Sequence, residues 1–251
     1  MSTQTAPQQP SCSSAPGTVH VVLVPGFWLG AWAWDDVLPG LRAAGLVPHP
    51  VTLPGLGSPA EDRSGLTLED HVEAVTALVD DLDGDVVLVG HSGGAVVVQS
   101  VVDRHPERVR RVVYVDSGPL RDGVALQPGV QSDGPDLPLP TWEELEAEGN
   151  SIEGLGPEDR ATLRDRAVPH PSGVAGSPVL LGDPRRLQVP VTLICTSIPA
   201  ALLHELVAAG QIPAELPDLH DVTSVDLPTG HWPMFSRPAD LAAAIAAAAT
   251  S

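Results

Sequence analysis

The pattern with the clearest chemical potential in this sequence is the pentapeptide GHSGG at residues 90–94, which sets one serine among glycines. The run VVLV before it predicts a buried parallel strand, and a helix-like run follows directly. A serine at so tight a strand-to-helix turn projects its hydroxyl from the sheet, and only glycine fits two residues before and after it. The pattern therefore predicts Ser92 as a catalytic nucleophile.

A serine hydroxyl needs a base that takes its proton, and His231 is the histidine we expect in this role. It follows the last predicted strand, in a loop at the same carboxyl-end edge of the sheet as Ser92. The chain order of serine, acid and histidine also matches a known template. His91 is adjacent to the serine, but neighbours at such a turn are expected to point apart. The other histidines are assigned to the surface, to a cap or to edge segments: His20, His49, His71, His105, His170, His204 and His220.

Two backbone N–H groups are expected to stabilise the oxyanion that forms when the serine attacks. One belongs to Gly93, directly after the nucleophile, and the other to Phe27 in the loop after the first strand. Packing in the core or against a helix is the alternative interpretation of Phe27 and the tryptophans near it. The residues expected to contact substrate are Gly26, Trp28, Trp142 and Trp232.

These residues must be positioned by a regular scaffold, and the rest of the sequence predicts one. Strands and helices alternate, with strands expected near residues 19–24, 47–53, 86–89, 110–116, 189–196 and 221–227. This alternation predicts an α/β fold, with a mostly parallel sheet of about six strands and helices on both faces. The length of 251 residues favours a single domain over residues 18–251, after a disordered polar tail at residues 1–17.

One long segment interrupts the alternation, because no strand is evident between residues 117 and 188. It contains two short helical stretches, one opened by a capping box at Thr141 and one from residue 157 to 167. The segment is too long for a simple connection, so we predict a helical cap inserted at about 117–188 that controls entry and excludes water. Its apolar residues favour a packed cap over the alternative, an acidic segment that does not pack.

The composition argues against several classes of binding partner. The chain has 13 Lys and Arg against 32 Asp and Glu, a net charge of −19, which argues against nucleic acid and anionic membranes as partners. Cys12 lies in the predicted tail and Cys195 in an apolar strand, so no disulfide is expected. No metal-binding spacing, membrane-length apolar run or signal peptide is apparent, which predicts a cytoplasmic protein without a metal. Nothing in the sequence indicates an oligomeric state.

Five segments, LVPGFWLGAWAW, TLPGLG, LVGHSGG, VVYVD and TGHWPMFSRP, occur in this order. Over about residues 19–116 and 186–251 the chain therefore resembles the α/β-hydrolase superfamily. It looks most similar to the small six-stranded esterases, lactonases and hydroxynitrile lyases. The resemblance implies a serine hydrolase that cleaves a small hydrophobic ester or lactone through an acyl-enzyme, without a cofactor.

The sequence departs from this superfamily at the acid of the triad. The usual position after the fifth core strand is occupied by Ser197, and the next acidic residue, Glu205, falls in a predicted helix. Asp116 closes the fourth strand, 24 residues after Ser92, and some relatives use that strand end. A carboxylate there could orient the same histidine, so Asp116 is the predicted acid. Local hydrogen bonding is the alternative role for Asp116, and the other candidate acids are Glu205, Asp183 and Asp218.

Two other functions stay open on the same fold. A hydroxynitrile-lyase activity would use the same triad, but those enzymes place a lysine beside the histidine where this chain has Trp232. A non-enzymatic ligand receptor with an intact triad is the second alternative. Dehalogenases and epoxide hydrolases need a carboxylate nucleophile, which Ser92 excludes.

Overall fold

The computed structural model describes residues 17–130 and 134–251, and its centre is one parallel sheet. The predicted tail, apart from Gly17, and Cys12 lie outside these residues. In spatial order the strands are β2-β1-β3-β4-β7-β8, and every neighbouring pair is parallel. Their ranges are β1 Val19–Val24, β2 Val47–Pro50, β3 Asp85–His91, β4 Val109–Val115, β7 Val191–Cys195 and β8 Val222–Asp226. The predicted α/β architecture with six strands is confirmed.

Alternation along the strands builds a core on each face of the sheet. In β1, Val21 and Leu23 face one cluster of buried side chains, while Val22 and Val24 face the other. The first cluster is closed by α1 (Leu38–Ala43) and α9 (Pro238–Thr250), and the second by α2 (Leu68–Asp80) and α3 (Gly94–Arg104). Both faces are covered, which explains why the inner strands are mostly apolar.

The element bounds differ from the predicted ones where proline intervenes. The second strand ends at Pro50, before the predicted Leu53; it includes prolines at 48 and 50, which an edge strand tolerates, and the N–H of Val51 still donates to the carbonyl of Leu23 at 3.0 Å. The first helix begins at Leu38, after a 3₁₀ turn over Ala31–Trp34, since Pro39 is suited to a first helical turn.

The strand order creates a crevice at the carboxyl ends of β1 and β3. The chain leaves β1 toward β2 on one side and returns to β3 on the other, and such a switch point is where open α/β sheets bind ligands. Phe27 follows β1 and Ser92 follows β3. The topology alone therefore brings the two predicted parts of the site together.

Close packing explains the glycines around the serine. A Cβ atom at Gly90 would lie 2.7 Å from Cγ2 of Val98, and one at Gly94 would lie 2.6 Å from the carbonyl oxygen of Val24. Ser92 itself has a φ of 49°, in the left-handed region that residues other than glycine rarely adopt. The turn is thus held in a strained conformation by a helix that starts against the end of β1.

The segment from 117 to 190 contains short elements above this crevice. They are β5 (Asp136–Leu137), α4 (Trp142–Ala147), α5 (Pro157–Arg166), β6 (His170–Pro171) and α6 (Ser172–Gly176), with a 3₁₀ turn at Pro184–Gln188. The expectation of no strand in this segment was wrong, because β5 and β6 form an antiparallel pair. Strands of two residues are too short to show a period of two in sequence.

Buried arginines attach this segment to the sheet. Arg63, 3 % exposed, donates hydrogen bonds to the carbonyl oxygens of Ser58 and Pro169 at 2.7 Å each. Arg186 forms ion pairs with Asp103 of α3 and with Glu215, all three side chains being largely buried. Because buried charges are costly unless paired, these contacts define where the segment docks.

The close approach of Gly94 to β1 predicts a specific loss of stability. Gly94→Ala places a methyl group against two backbone carbonyls that cannot yield, and we expect the free energy of unfolding to fall by about 1–3 kcal/mol. Gly182→Ala is the matched control, because nothing lies within 4 Å of its added Cβ and its φ is not positive. Urea unfolding of both variants measures the difference, and equal stabilities would contradict the packing described.

Candidate active site

Ser92, His231 and Asp116 lie in one hydrogen-bonded row. The Oγ of Ser92 is 2.8 Å from Nε2 of His231, and Nδ1 of His231 is 2.6 Å from Oδ2 of Asp116. With Nδ1 donating to the carboxylate, Nε2 is left as the acceptor of the serine hydroxyl. The side chains of His231 and Asp116 are only 11 % and 7 % exposed. The row is therefore shielded from water, with Ser92 at its open end.

Asp116 reaches this row from the end of β4, across the neighbouring strand β7. It has a φ of 45°, and its carboxylate accepts hydrogen bonds from the N–H of Thr196, the N–H of Ser197 and the hydroxyl of Ser197. Burial alone would raise the pKa of Asp116, but the hydrogen bond and charge of His231 and the donors of Ser197 outweigh it and hold that pKa well below its ordinary value. Asp116 is an ionised acceptor.

The other three candidate acids have no contact with His231 in the described part of the chain. Glu205 is exposed in α7 (Ala200–Ala208). Asp183 accepts hydrogen bonds from Arg185, and Asp218 lies 3.5 Å from Arg121 at the surface. Of the acids considered from the sequence, Asp116 alone is joined to the histidine.

The loop carrying His231 is held by backbone contacts on both sides. The N–H of His231 donates to the carbonyl of Ser151 at 2.7 Å, and the N–H of Gly230 donates to that of Glu153 at 3.0 Å. The hydroxyl of Thr196 donates to the carbonyl of Gly230 at 2.9 Å. The segment between β4 and β7 thus contributes directly to the placement of the base.

His91 has a structural part in the site that the sequence did not indicate. Its Nε2 donates to the carbonyl of His231 at 2.7 Å, and its ring centroid lies 4.9 Å from that of His231. Burial, and secondarily the nearby His231, lower the pKa of His91 to about 3, so its ring is neutral. The expectation that His91 and Ser92 point apart did not include this contact, which arises because the histidine loop folds back beneath the turn.

The loop after β1 packs tightly against the nucleophile turn. A Cβ at Gly26 would lie 2.9 Å from the Cβ of Ser92, and a Cβ at Gly93 would collide with the ring of Phe27. Within residues 17–130 and 134–251, the N–H groups of Phe27 and Gly93 donate no hydrogen bond. Two free donors at the ends of adjacent strands are what a developing oxyanion requires.

Two histidines assigned to the surface or cap are in fact buried beside Phe27. His170 is 2 % exposed and stacks on the Phe27 ring at a centroid distance of 4.0 Å, and His71, fully buried, contacts His170 edge to face at 5.6 Å. Burial lowers the pKa of His71 to about 4 and that of His170 well below its ordinary value. The assignment was wrong for His71, which is buried on α2, whereas His170 belongs to the predicted cap segment, whose second short strand turns it inward onto the β1 loop.

A cavity of about 310 Å³ opens above Ser92. Besides Ser92, His231 and the loop after β1, its wall includes Leu126, Gln127, Glu148, Asn150 and Trp232. Aromatic and aliphatic surface therefore alternates with uncharged amides and one carboxylate. The cavity is of a size that holds a small molecule.

The predicted substrate-contacting residues take different places around this cavity. Trp28 and Trp232 line it. Trp142 stands behind Trp232 at a centroid distance of 6.3 Å, with the guanidinium of Arg164 4.4 Å above its ring. Gly26 lies beneath the turn, against His91 and Ser92.

Two further observations on the described residues concern metal ions and membranes. Residues 17–130 and 134–251 contain no group of three or more His, Cys, Asp and Glu side chains placed to hold a metal ion. None of the helices in these residues is both long enough and apolar enough to span a bilayer.

Comparisons with curated proteins identify esterases among the relatives. The carbendazim hydrolyzing esterase of Nocardioides sp. (strain SG-4G) is 40 % identical over 104 residues, covering 39 % of this chain and 41 % of that protein. Methylesterase 1 of Arabidopsis thaliana is 32 % identical over 147 residues, covering 54 % of each. The chain thus spans about half or less of the length of these curated relatives.

Solved structures share the fold over nearly the whole chain. A methylesterase from Arabidopsis aligns with a TM-score of 0.72 and 22 % identity, covering 93 % of this chain and 99 % of that one. A pyrethroid hydrolase from Sphingobium faniae JZ-2 aligns with a TM-score of 0.68 and 23 % identity, covering 93 % and 98 %. At these identities the likeness concerns the fold.

The family itself follows from a match that includes all six strands of the sheet except the first two residues of β1. Residues 21–244 match the family described as the alpha/beta hydrolase family, in agreement with the strand order and the strained serine turn. The chain belongs to the alpha/beta hydrolase family.

Proposed function

We propose that this protein hydrolyses small carboxylic esters, lactones included, through an acyl-enzyme on Ser92. The observation that carries the proposal is the row in which Asp116, His231 and Ser92 are joined by hydrogen bonds of 2.6 and 2.8 Å. Relatives named as a carbendazim hydrolyzing esterase and as methylesterases support the same reaction class. We further propose that the segment 117–188 acts as a cap, since it contributes the outer wall of the cavity.

In the proposed acylation step, Oγ of Ser92 forms a bond to the carbonyl carbon of the ester while its proton passes to Nε2 of His231. The carbonyl oxygen takes the electron pair, and the N–H groups of Phe27 and Gly93 donate to it. Asp116 stabilises the imidazolium that results. When the carbon–oxygen bond to the alcohol breaks, the alcohol leaves with the proton from His231.

Deacylation repeats these transfers with water in place of the serine. Nε2 of His231 takes a proton from water as the water oxygen bonds to the acyl carbon, and the bond to Ser92 then breaks. The serine recovers its proton from His231 and the carboxylic acid departs. The reaction is balanced by ester and water alone, so the proposal requires no cofactor.

Two features weigh against a lyase of the hydroxynitrile type. Those enzymes hold the leaving cyanide with a lysine beside the histidine, whereas the residue after His231 is Trp232 and the sequence contains no lysine at all. A receptor without catalysis has no need of free oxyanion donors. Hydrolysis uses both the hydrogen-bonded row and the free N–H groups of Phe27 and Gly93.

The first test is covalent labelling with a fluorophosphonate probe, which reacts with serines activated by a neighbouring base. We expect wild-type protein to take up one probe on the peptide containing Ser92 and Ser92→Ala to take up none. Ser177→Ala is the control, because among residues 17–130 and 134–251 its hydroxyl hydrogen-bonds only to the carbonyl of Gly173, at 2.6 Å. A wild-type protein that stays unlabelled would refute an activated Ser92, and labelling without ester turnover would favour the receptor alternative.

The second test concerns the acid. In Asp116→Asn, His231 loses the charged partner that fixes its tautomer and stabilises its imidazolium, so we expect kcat to fall by roughly 10³–10⁴-fold. Hydrolysis of p-nitrophenyl butyrate measures the rate, and circular dichroism verifies the fold. Glu205→Gln, Asp183→Asn and Asp218→Asn serve as controls expected to stay near wild-type activity. Near-normal turnover of Asp116→Asn would remove Asp116 from the triad.

The third test concerns the charge of the substrate. Glu148 is the one carboxylate among the described residues of the cavity wall outside the row, and this wall includes no arginine. We therefore expect neutral esters to be preferred over anionic ones of equal size. Glu148→Gln should raise kcat/KM for an anionic ester relative to a neutral one by about fivefold, equivalent to roughly 1 kcal/mol of repulsion.

The comparison uses p-nitrophenyl butyrate and the p-nitrophenyl monoester of succinic acid. Glu146→Gln is the matched control, since Glu146 lies in α4, two residues before the C-cap Glu148, and does not line the cavity. Equal responses of the two variants would exclude a local effect of Glu148.

A further inference from the structure

Ser197 occupies the end of β7, where relatives of this fold usually carry the acid, and it contacts the acid that this chain uses instead. Its hydroxyl donates to Oδ2 of Asp116 at 2.7 Å and its N–H donates to Oδ1 at 2.9 Å. The N–H of Thr196 donates to Oδ1 at 3.2 Å. Oδ2 is also the atom that accepts the Nδ1–H of His231. Each carboxylate oxygen thus accepts two hydrogen bonds, which is its full capacity.

We propose that Ser197 is a positioning residue for the triad acid: its hydroxyl fixes the rotation of the Asp116 carboxylate so that Oδ2 faces His231. The proposal rests on the proposed function, in which Asp116 orients the base. Without the hydroxyl, Oδ2 would keep one partner and Oδ1 two, and the carboxylate could turn about its bond to Cβ. The hydrogen bond to His231 would then lengthen in part of the population.

The surroundings of Asp116 leave few substitutes for this hydroxyl. On the side away from His231, Asp116 and Ser197 border a second cavity of about 230 Å³, whose wall is mostly aliphatic and includes Leu120, Ile198 and Leu203. Asp116 also holds a φ of 45°, so its backbone does not relax freely toward a new position. The serine therefore supplies the polar contact that this aliphatic wall cannot.

An uncharged donor suits this position better than a second acid would. A carboxylate at position 197 would stand within hydrogen-bond distance of Asp116, and two such groups cannot both be ionised at low cost. One of them would hold a proton, and the negative charge facing His231 would be shared. Asp116, after β4, thus supplies the negative charge, and Ser197, after β7, supplies a hydrogen bond that orients it.

The test is a double-mutant cycle on kcat and KM for p-nitrophenyl butyrate. Ser197→Ala should lower kcat by about tenfold with KM unchanged, the effect of one hydrogen bond to a charged group. Ser197→Thr, which keeps the hydroxyl, should recover most of that loss. Because the hydroxyl acts only through Asp116, adding Ser197→Ala to Asp116→Asn should cost nothing further. Thermal unfolding of each variant accompanies the kinetics.

A second variant tests the separate roles of the carboxylate and the uncharged donor by exchanging their positions. Asp116→Asn combined with Ser197→Asp returns a carboxylate to the end of β7, beside an amide that can donate to it. We expect this double variant to be at least tenfold more active than Asp116→Asn alone. Ser197→Asp by itself should be less active than wild type, because the two carboxylates then compete.

Three outcomes would overturn the positioning role: wild-type kcat in Ser197→Ala, an equal fold-loss from Ser197→Ala in the presence and absence of Asp116, or no benefit from Ser197→Thr. A wild-type protein without esterase activity would instead refute the proposed function. In that case the NMR signal of the Nδ1–H of His231 tests whether Ser197 positions Asp116, because this signal reports the hydrogen bond between His231 and Asp116 without turnover. We expect that signal to shift or broaden in Ser197→Ala, and an unchanged signal would contradict the proposal.

Discussion

The site depends on one constraint, which is that three neighbouring strands are each followed by a residue with a positive φ angle, a backbone conformation that non-glycine residues rarely adopt. Trp28 after β1, Ser92 after β3 and Asp116 after β4 have φ angles of 66°, 49° and 45°, and they are the non-glycine residues with positive φ in the described part of the chain. Each such conformation costs free energy and persists only where its surroundings enforce it. These residues are the proposed nucleophile Ser92, the proposed acid Asp116 and Trp28, which adjoins the proposed oxyanion donor Phe27, and all three follow adjacent strands of the sheet.

The surroundings of Trp28 and of the His231 loop come largely from the inserted segment. The indole N–H of Trp28 donates to the carbonyl of Leu137 at 2.9 Å, and the carbonyl of Trp28 accepts from the N–H of Val168 at the same distance. Ser151 and Glu153 hold the loop of His231 from the same side. The segment that lines part of the cavity thus also contacts the loops that carry Trp28 and His231.

Local sequence was sufficient for the parts of the site that depend on local geometry. The glycines around Ser92 follow from steric limits at one turn, and the place of His231 follows from the shared edge of a parallel sheet. Asp116 could be inferred because the usual acid position holds a serine. What escaped prediction depends on contacts between distant segments: the inward turn of His170 onto Phe27, the return of the His231 loop onto His91, and the place of Trp142 behind Trp232.

If Ser92 receives an acyl group as proposed, rapid-quench mass spectrometry will detect the acylated protein. Wild-type protein mixed with excess p-nitrophenyl butyrate should gain the mass of one butyryl group within the first turnover. Peptide mapping should assign that group to the peptide that contains Ser92. Consumption of the ester without any acylated protein, or with the acyl group on another residue, would contradict the account.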